Sequence, residues 1–81
     1  MKEKVESLIQ QLGSGEASIR RNAAIALGQI GEPAKNAVPA LVKALHDEDE
    51  DVRFEAVSAL KKIGTPEAMK AVEGDENPER K

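Results

Sequence analysis

The chain has no cysteine, tryptophan or tyrosine, and Phe54 is its only aromatic residue. Without cysteine there is neither a disulfide nor a thiolate metal site. With one ring in 81 residues, a core has to come from Ala, Val, Leu and Ile, which suit closely spaced helices. The same scarcity removes the aromatic platform on which single-stranded nucleic acid stacks. No apolar run approaches the ~20 residues of a membrane span. The opening residues Met1 to Glu6 lack the apolar segment of a secretion signal, so the cytoplasm is the expected location. Nor does either sign of charge dominate. Twelve basic and 15 acidic residues leave a net charge of −3, which gives no electrostatic reason to expect nucleic acid or an anionic membrane as partner.

What remains is helical periodicity, in a chain near the size at which one core is only marginally stable. Val5, Leu8, Ile9 and Leu12 fall at i, i+3, i+4 and i+7, the stripe of an amphipathic helix over 2–12. Gly13-Ser14-Gly15 stops it, with Gly13 suited to a left-handed C′ position. A second helix over 17–30 carries Ile19, Ala23, Ala26, Leu27 and Ile30, and Ala23 with Ala24 allows close approach of a neighbour. Gly31 ends it, and Glu32-Pro33 turns the chain. Val38, Leu41, Val42 and Leu45 mark a third helix. Pro39 is tolerated only in a first turn, so that helix begins near Val38 and residues 33–37 form a separate turn or kinked lead-in. The fourth lies within 47–64, with stripe Val52, Ala56, Ala59, Leu60 and Ile63. Thr65 as N-cap and Pro66 at N1 open a short fifth, through Ala68, Met69, Ala71 and Val72 to Gly74.

A shift of 33 residues superimposes Val5, Leu8, Ile9 and Leu12 on Val38, Leu41, Val42 and Leu45. The same shift carries Ile19, Arg20, Ala23, Ala26, Leu27, Ile30, Gly31 and Pro33 onto Val52, Arg53, Ala56, Ala59, Leu60, Ile63, Gly64 and Pro66. So many matches in register make an internal repeat, each unit a helix pair that buries its stripe by stacking on its neighbours. The expected fold is all-α: a short right-handed α-solenoid of about two and a half repeats and five helices. Its domain covers 1–73, as a half-repeat 1–12 and repeats 13–45 and 46–73, followed by a polar flexible tail over 74–81.

Leu45, Asp47, Asp49, Val52, Arg53, Ala56, Ala59, Leu60, Ile63 and Gly64 resemble the pattern of the phycobilisome-lyase (PBS lyase) type of HEAT-like repeat. The earlier copy resembles it less closely, since Ser14 and Glu16 stand where the pattern has aspartates. The resemblance implies an armadillo-like helical solenoid whose second helices line a partner-binding face. It also implies a ladder in which Arg53 bonds the Asp47 loop and Arg20 reaches across to the next turn. It carries over no enzyme activity, because the motif is structural.

Candidate sites are few. Asp47, Asp49 and Asp51 alternate as in a calcium loop, but no glycine follows Asp51 to make the sharp turn. Carboxylates there cap a helix N-terminus, so Asp47 and Asp49 are expected to cap and brace. Arg20 and Arg53 sit in first turns, where a cation opposes the helix dipole, which indicates a specific partner for each. His46 is the only histidine. With no cysteine, and Ser58 inside a helix, it has no nucleophile to activate. No catalytic residue, metal ligand or cofactor site is expected.

The expected partner is another protein, contacted through the outward positions of the second helices: Glu3, Ser7, Gln10, Asn36, Ala40, Lys43 and Lys70. Phe54 and Val57 have two readings, as filling between repeats or as an outward ridge at the end of the array. The outward reading makes a homodimer possible. A bilin-lyase accessory, suggested by the family name alone, and a designed or excised repeat fragment are the alternatives to a protein-binding scaffold.

Overall fold

The computed structural model describes residues 2–74. The polar tail expected beyond Gly74 lies outside the described residues. Five α-helices follow one another: α1 (Lys2–Gln11), α2 (Ala17–Ile30), α3 (Val38–Ala44), α4 (Glu50–Ile63) and α5 (Pro66–Gly74). A 3-10 stretch over Glu32–Ala37 leads into α3. It exists because Pro39 lacks the amide that would bond the Lys35 carbonyl in one continuous helix from residue 32 to 44, whereas Pro33 sits in a first turn, where no such bond is lost. Ala34, at φ −92° and ψ 19°, marks the kink.

The helices form two layers. The long helices α2 and α4 pack side by side in the largest interface of the molecule. α1, the 3-10 stretch with α3, and α5 form the other layer, each resting on the long helix beside it. The fold is a short all-helical solenoid. Among the described residues 18 hydrophobic side chains are buried, and eight of these are alanines. Leu27, Leu41, Leu45, Leu60 and Val52 are the largest fully buried groups; burying each contributes about 1.5–3 kcal/mol. The alanines between them let the helices approach closely enough to enclose these side chains without rings.

α2 and α4 meet most closely at Gly28. A Cβ there would lie 3.0 Å from the Ala59 Cα and 3.3 Å from its Cβ, inside the 3.5–4.0 Å optimum for carbon contacts. Glycine therefore sits inside a helix, at a conformational disadvantage, because the crossing has no room for a side chain. Its repeat counterpart in α4 is Lys61, on an exposed surface.

Two sequence expectations change. Gly13 does not take a left-handed conformation; among the described glycines positive φ occurs at Gly31 (81°) and Gly64 (70°). α1 instead ends at Gln11 in a tightening turn, with the Gly13 and Ser14 amides donating to the carbonyls of Gln10 and Gln11 at 3.0 Å each. Right-handed i to i−3 bonds satisfy those carbonyls, so no left-handed residue is required. Ile19, placed by periodicity in the core stripe, is 38% exposed, whereas its counterpart Val52 is fully buried. The flank of α2 bearing Ile19, Ala26 and Ile30 faces away from α4. The same flank of α4, with Val52, Ala59 and Ile63, packs on α2.

Candidate functional site

Two surfaces carry most of the sequence-derived residues, and the flank of α4 bearing Phe54 and Val57 is a third. On the second layer, Glu3, Ser7 and Gln10 are exposed on α1, Asn36 on the 3-10 stretch, Lys43 on α3 and Lys70 on α5, while Ala40 is half-buried. The amphipathic spacing that turns Val5, Leu8, Val38, Leu41 and Ala68 inward turns these outward. Between the 3-10 stretch and the start of α5 lies an open groove of about 590 Å³, lined by Glu32, Lys35, Asn36, Pro39, Pro66 and Glu67 among others. The two proline rings stiffen its walls and the three charges give it polar edges. This groove is not visible in the repeat pattern; it depends on the kink that sets the 3-10 stretch apart from α3.

The second surface is the loop joining the layers. The Arg20 Nε donates to Asp47 Oδ2 at 2.8 Å and its Nη2 to Oδ1 at 3.0 Å. This fork-on-carboxylate pairing joins residues 27 positions apart. The Arg20 Nη1 donates to the Ser14 carbonyl at 2.8 Å. Arg53 Nη1 donates to the corresponding carbonyl, that of Asp47, at 2.6 Å. Asp47 Oδ1 also accepts from the Asp49 amide at 2.9 Å, and Asp49 Oδ1 caps α4 through the amides of Asp51 (2.8 Å) and Val52 (3.1 Å). Accepting from Arg20 and from the Asp49 amide holds the Asp47 carboxyl below the ordinary value of 3.8, with the charges of Arg20 and Arg53 adding to the effect. The same pairing raises the Arg20 guanidinium above its ordinary value.

The two copies differ at this loop. Glu16 stands at the N-cap of α2 and makes no side-chain capping bond. The Ser14 hydroxyl accepts from the Glu16 amide at 3.1 Å, so it turns the loop locally but offers no charge to an arginine. α4 has Glu50 and Asp51 in its first turn and Lys61 and Lys62 in its last, both matched to its dipole, whereas α2 has neither.

Phe54 is 58% exposed, which overturns its reading as filling between repeats. It lies on the flank of α4 turned away from α2, where no described residue covers it. Val57 is half-buried and packs against the core. His46 is exposed at the end of α3, with its amide donating to the Lys43 carbonyl at 3.1 Å. Among the described residues no group of His, Asp and Glu is placed to hold a metal ion, and no buried polar side-chain atom lacks a hydrogen-bond partner.

Paired long helices in one layer, short helices in the other and an arginine–aspartate rung between them define a repeat array. The chain belongs to the HEAT-repeat family, whose model matches residues 5–80. It is also similar to a HEAT repeat-containing taxis protein of Halobacterium salinarum, strain ATCC 29341 / DSM 671 / R1, at 44% identity over 57 residues. That match takes in 69% of this chain and 14% of the relative, so the chain spans about one seventh of the length of the protein it resembles. HEAT repeats in general mediate protein–protein interaction. No helix among the described residues is long and apolar enough to cross a membrane.

Proposed function

We propose that the chain is a cytoplasmic protein-binding scaffold module that takes a polar segment of another protein along the α1, α3 and α5 face. The groove beside Asn36 carries this reading: it is open and bordered by both signs of charge, with Glu32, Lys35 and Glu67 on its walls. Rings and arginines, which anchor tight interfaces, are absent from the candidate residues on this face. The expected binding is accordingly modest in affinity and gains from avidity where several repeats act together.

The test is capture of native partners by the whole chain, compared with the variant Asn36→Arg, Lys43→Glu, Lys70→Glu. These side chains are exposed, so the variant keeps its helical circular dichroism. A partner retained equally by both proteins would sink the reading.

The PBS lyase subtype belongs to the same proposal, supported by the full pattern from Leu45 to Gly64. Visible absorbance on mixing with bilin would favour the lyase-accessory alternative. The likeness to a protein named for taxis supports a narrower form, in which the bound partner acts in taxis. A designed or excised fragment of a longer array would present the same face.

A further inference from the structure

We infer that the flank of α4 turned away from α2 is a self-complementary surface, on which a second copy of this chain docks its own α4 antiparallel about a twofold axis. Glu50, Phe54, Val57 and Lys61 fall at i, i+4, i+7 and i+11. At 100° per residue all four lie within about 60° of one another, a single narrow stripe. Glu50, Phe54 and Lys61 are exposed, while Val57 is half-buried with part of its side chain packed on the core. Its order is acidic, aromatic, aliphatic, basic.

Two such stripes laid antiparallel, with the axis passing between Glu55 and Ala56, set Glu50 against Lys61 of the other copy and Phe54 against Val57. Each contact then occurs twice, as an isologous interface requires. The helix dipoles also run antiparallel. No other register matches both charges and both apolar groups.

The alternative use of a second copy is head-to-tail continuation, with the free α2 flank of one chain packed on the α4 flank of the next. Two observations oppose it. The α2–α4 crossing needs Gly28, where even a Cβ would stand 3.0 Å from the Ala59 Cα, and Lys61 occupies the matching position. The internal rung also needs a carboxylate for its arginine. Arg53 bonds the Asp47 carbonyl and pairs with no carboxylate among the described residues, and the matching loop of a following copy offers Ser14 in place of Asp47. The chain can therefore pair but does not stack indefinitely.

One helix stripe buries less than the roughly 800 Å² per partner of a standard interface, so the dimer is transient and concentration-dependent. It uses a face separate from the α1, α3 and α5 surface, and either can fail without the other.

Sedimentation velocity on the 81-residue chain, from about ten micromolar to about a millimolar, reads the association. The expected result is a mass that rises from 8.7 kDa and levels at twice that value. Phe54→Glu abolishes the rise without changing helicity, since the ring is exposed. Lys61→Glu and Glu50→Lys each weaken association about tenfold, because both symmetric charge pairs become repulsive. The double swap restores it to within about threefold, and Asn36→Arg leaves it unchanged. Because a lysine in the first turn of α4 opposes the dipole, the melting of Glu50→Lys is recorded alongside. A chain monomeric throughout overturns the proposal. So does a mass climbing past the dimer, or a double swap no better than the single variants.

Discussion

Gly28→Ala sets two effects of known size against each other. A methyl group would relieve the conformational disadvantage of glycine in mid-helix, worth about 0.8–1.0 kcal/mol. Against it stands the crossing with α4, where the new carbon would meet the Ala59 Cα at 3.0 Å, the Ala59 Cβ at 3.3 Å and the Lys62 Cδ at 3.4 Å. The lysine carbon is the flexible part of a long side chain and can move. The Ala59 Cα cannot, because α4 is packed by α2, α3 and α5 together, and shifting it opens the layer containing Ala56 and Leu60. Overpacking of this kind costs about 1–3 kcal/mol. The balance is a net loss of about 1 kcal/mol, which for a domain of this size lowers Tm by roughly 4–8 °C. Gly28→Val, with two branches in the same space, loses more. Lys61→Ala at the matching exposed position of α4 stays within about 0.5 kcal/mol of the parent. Thermal and urea denaturation followed at 222 nm measure all three. A Gly28→Ala protein that melts above the parent would refute the reasoning, since it would mean that α4 yields and the close crossing is not a constraint.

Asp49→Ala removes the acceptor for the Asp51 and Val52 amides and lowers stability by about 1 kcal/mol in denaturant titration. Glu16→Asp offers α2 the short side chain its N-cap lacks and raises stability by a few tenths to about 1 kcal/mol in the same assay. Asp47 titrates below its ordinary value in the folded chain, so its contribution is complete above about pH 4 and disappears as the pH falls through the lowered folded value. Asp47→Asn is therefore less stable than the parent at neutral pH, and its Tm changes less between about pH 5 and 2. Phe54→Ser leaves Tm within a few degrees of the parent, because most of the ring surface is exposed in the monomer at low concentration.

Residues with one local cause for their conformation were the legible ones. The second helix was readable because Ala17 to Ile30 holds one period between two glycine-containing turns. The break at Val38 was readable because proline geometry is local. Ile19 was misplaced because periodicity finds the apolar face of a helix but not whether a neighbour covers each flank. Gly13 was misassigned because glycine permits a left-handed turn without requiring one. Gly28 went unremarked although a glycine in mid-helix, opposite a lysine in the other copy, was the available signal. The groove beside Asn36 depends on how two prolines from different repeats approach, a tertiary distance that no spacing encodes.

The Arg20–Asp47 fork also bears on how such an array deforms under load. It ties α2 to the loop ahead of α4 at one edge of the stack, joined there by a longer, exposed Arg21–Asp51 pair at 3.9 Å, while farther along the interface the long helices meet through apolar contacts. Dispersion contacts resist separation but slide at little cost, whereas a forked pair resists both stretching and rotation. The edge bearing the fork thus acts as a pivot, and the opposite edge opens first when the array is bent. A string of such units would behave as a spring with a preferred bending direction, stiffer where an aspartate meets the arginine and softer at a junction where serine takes its place.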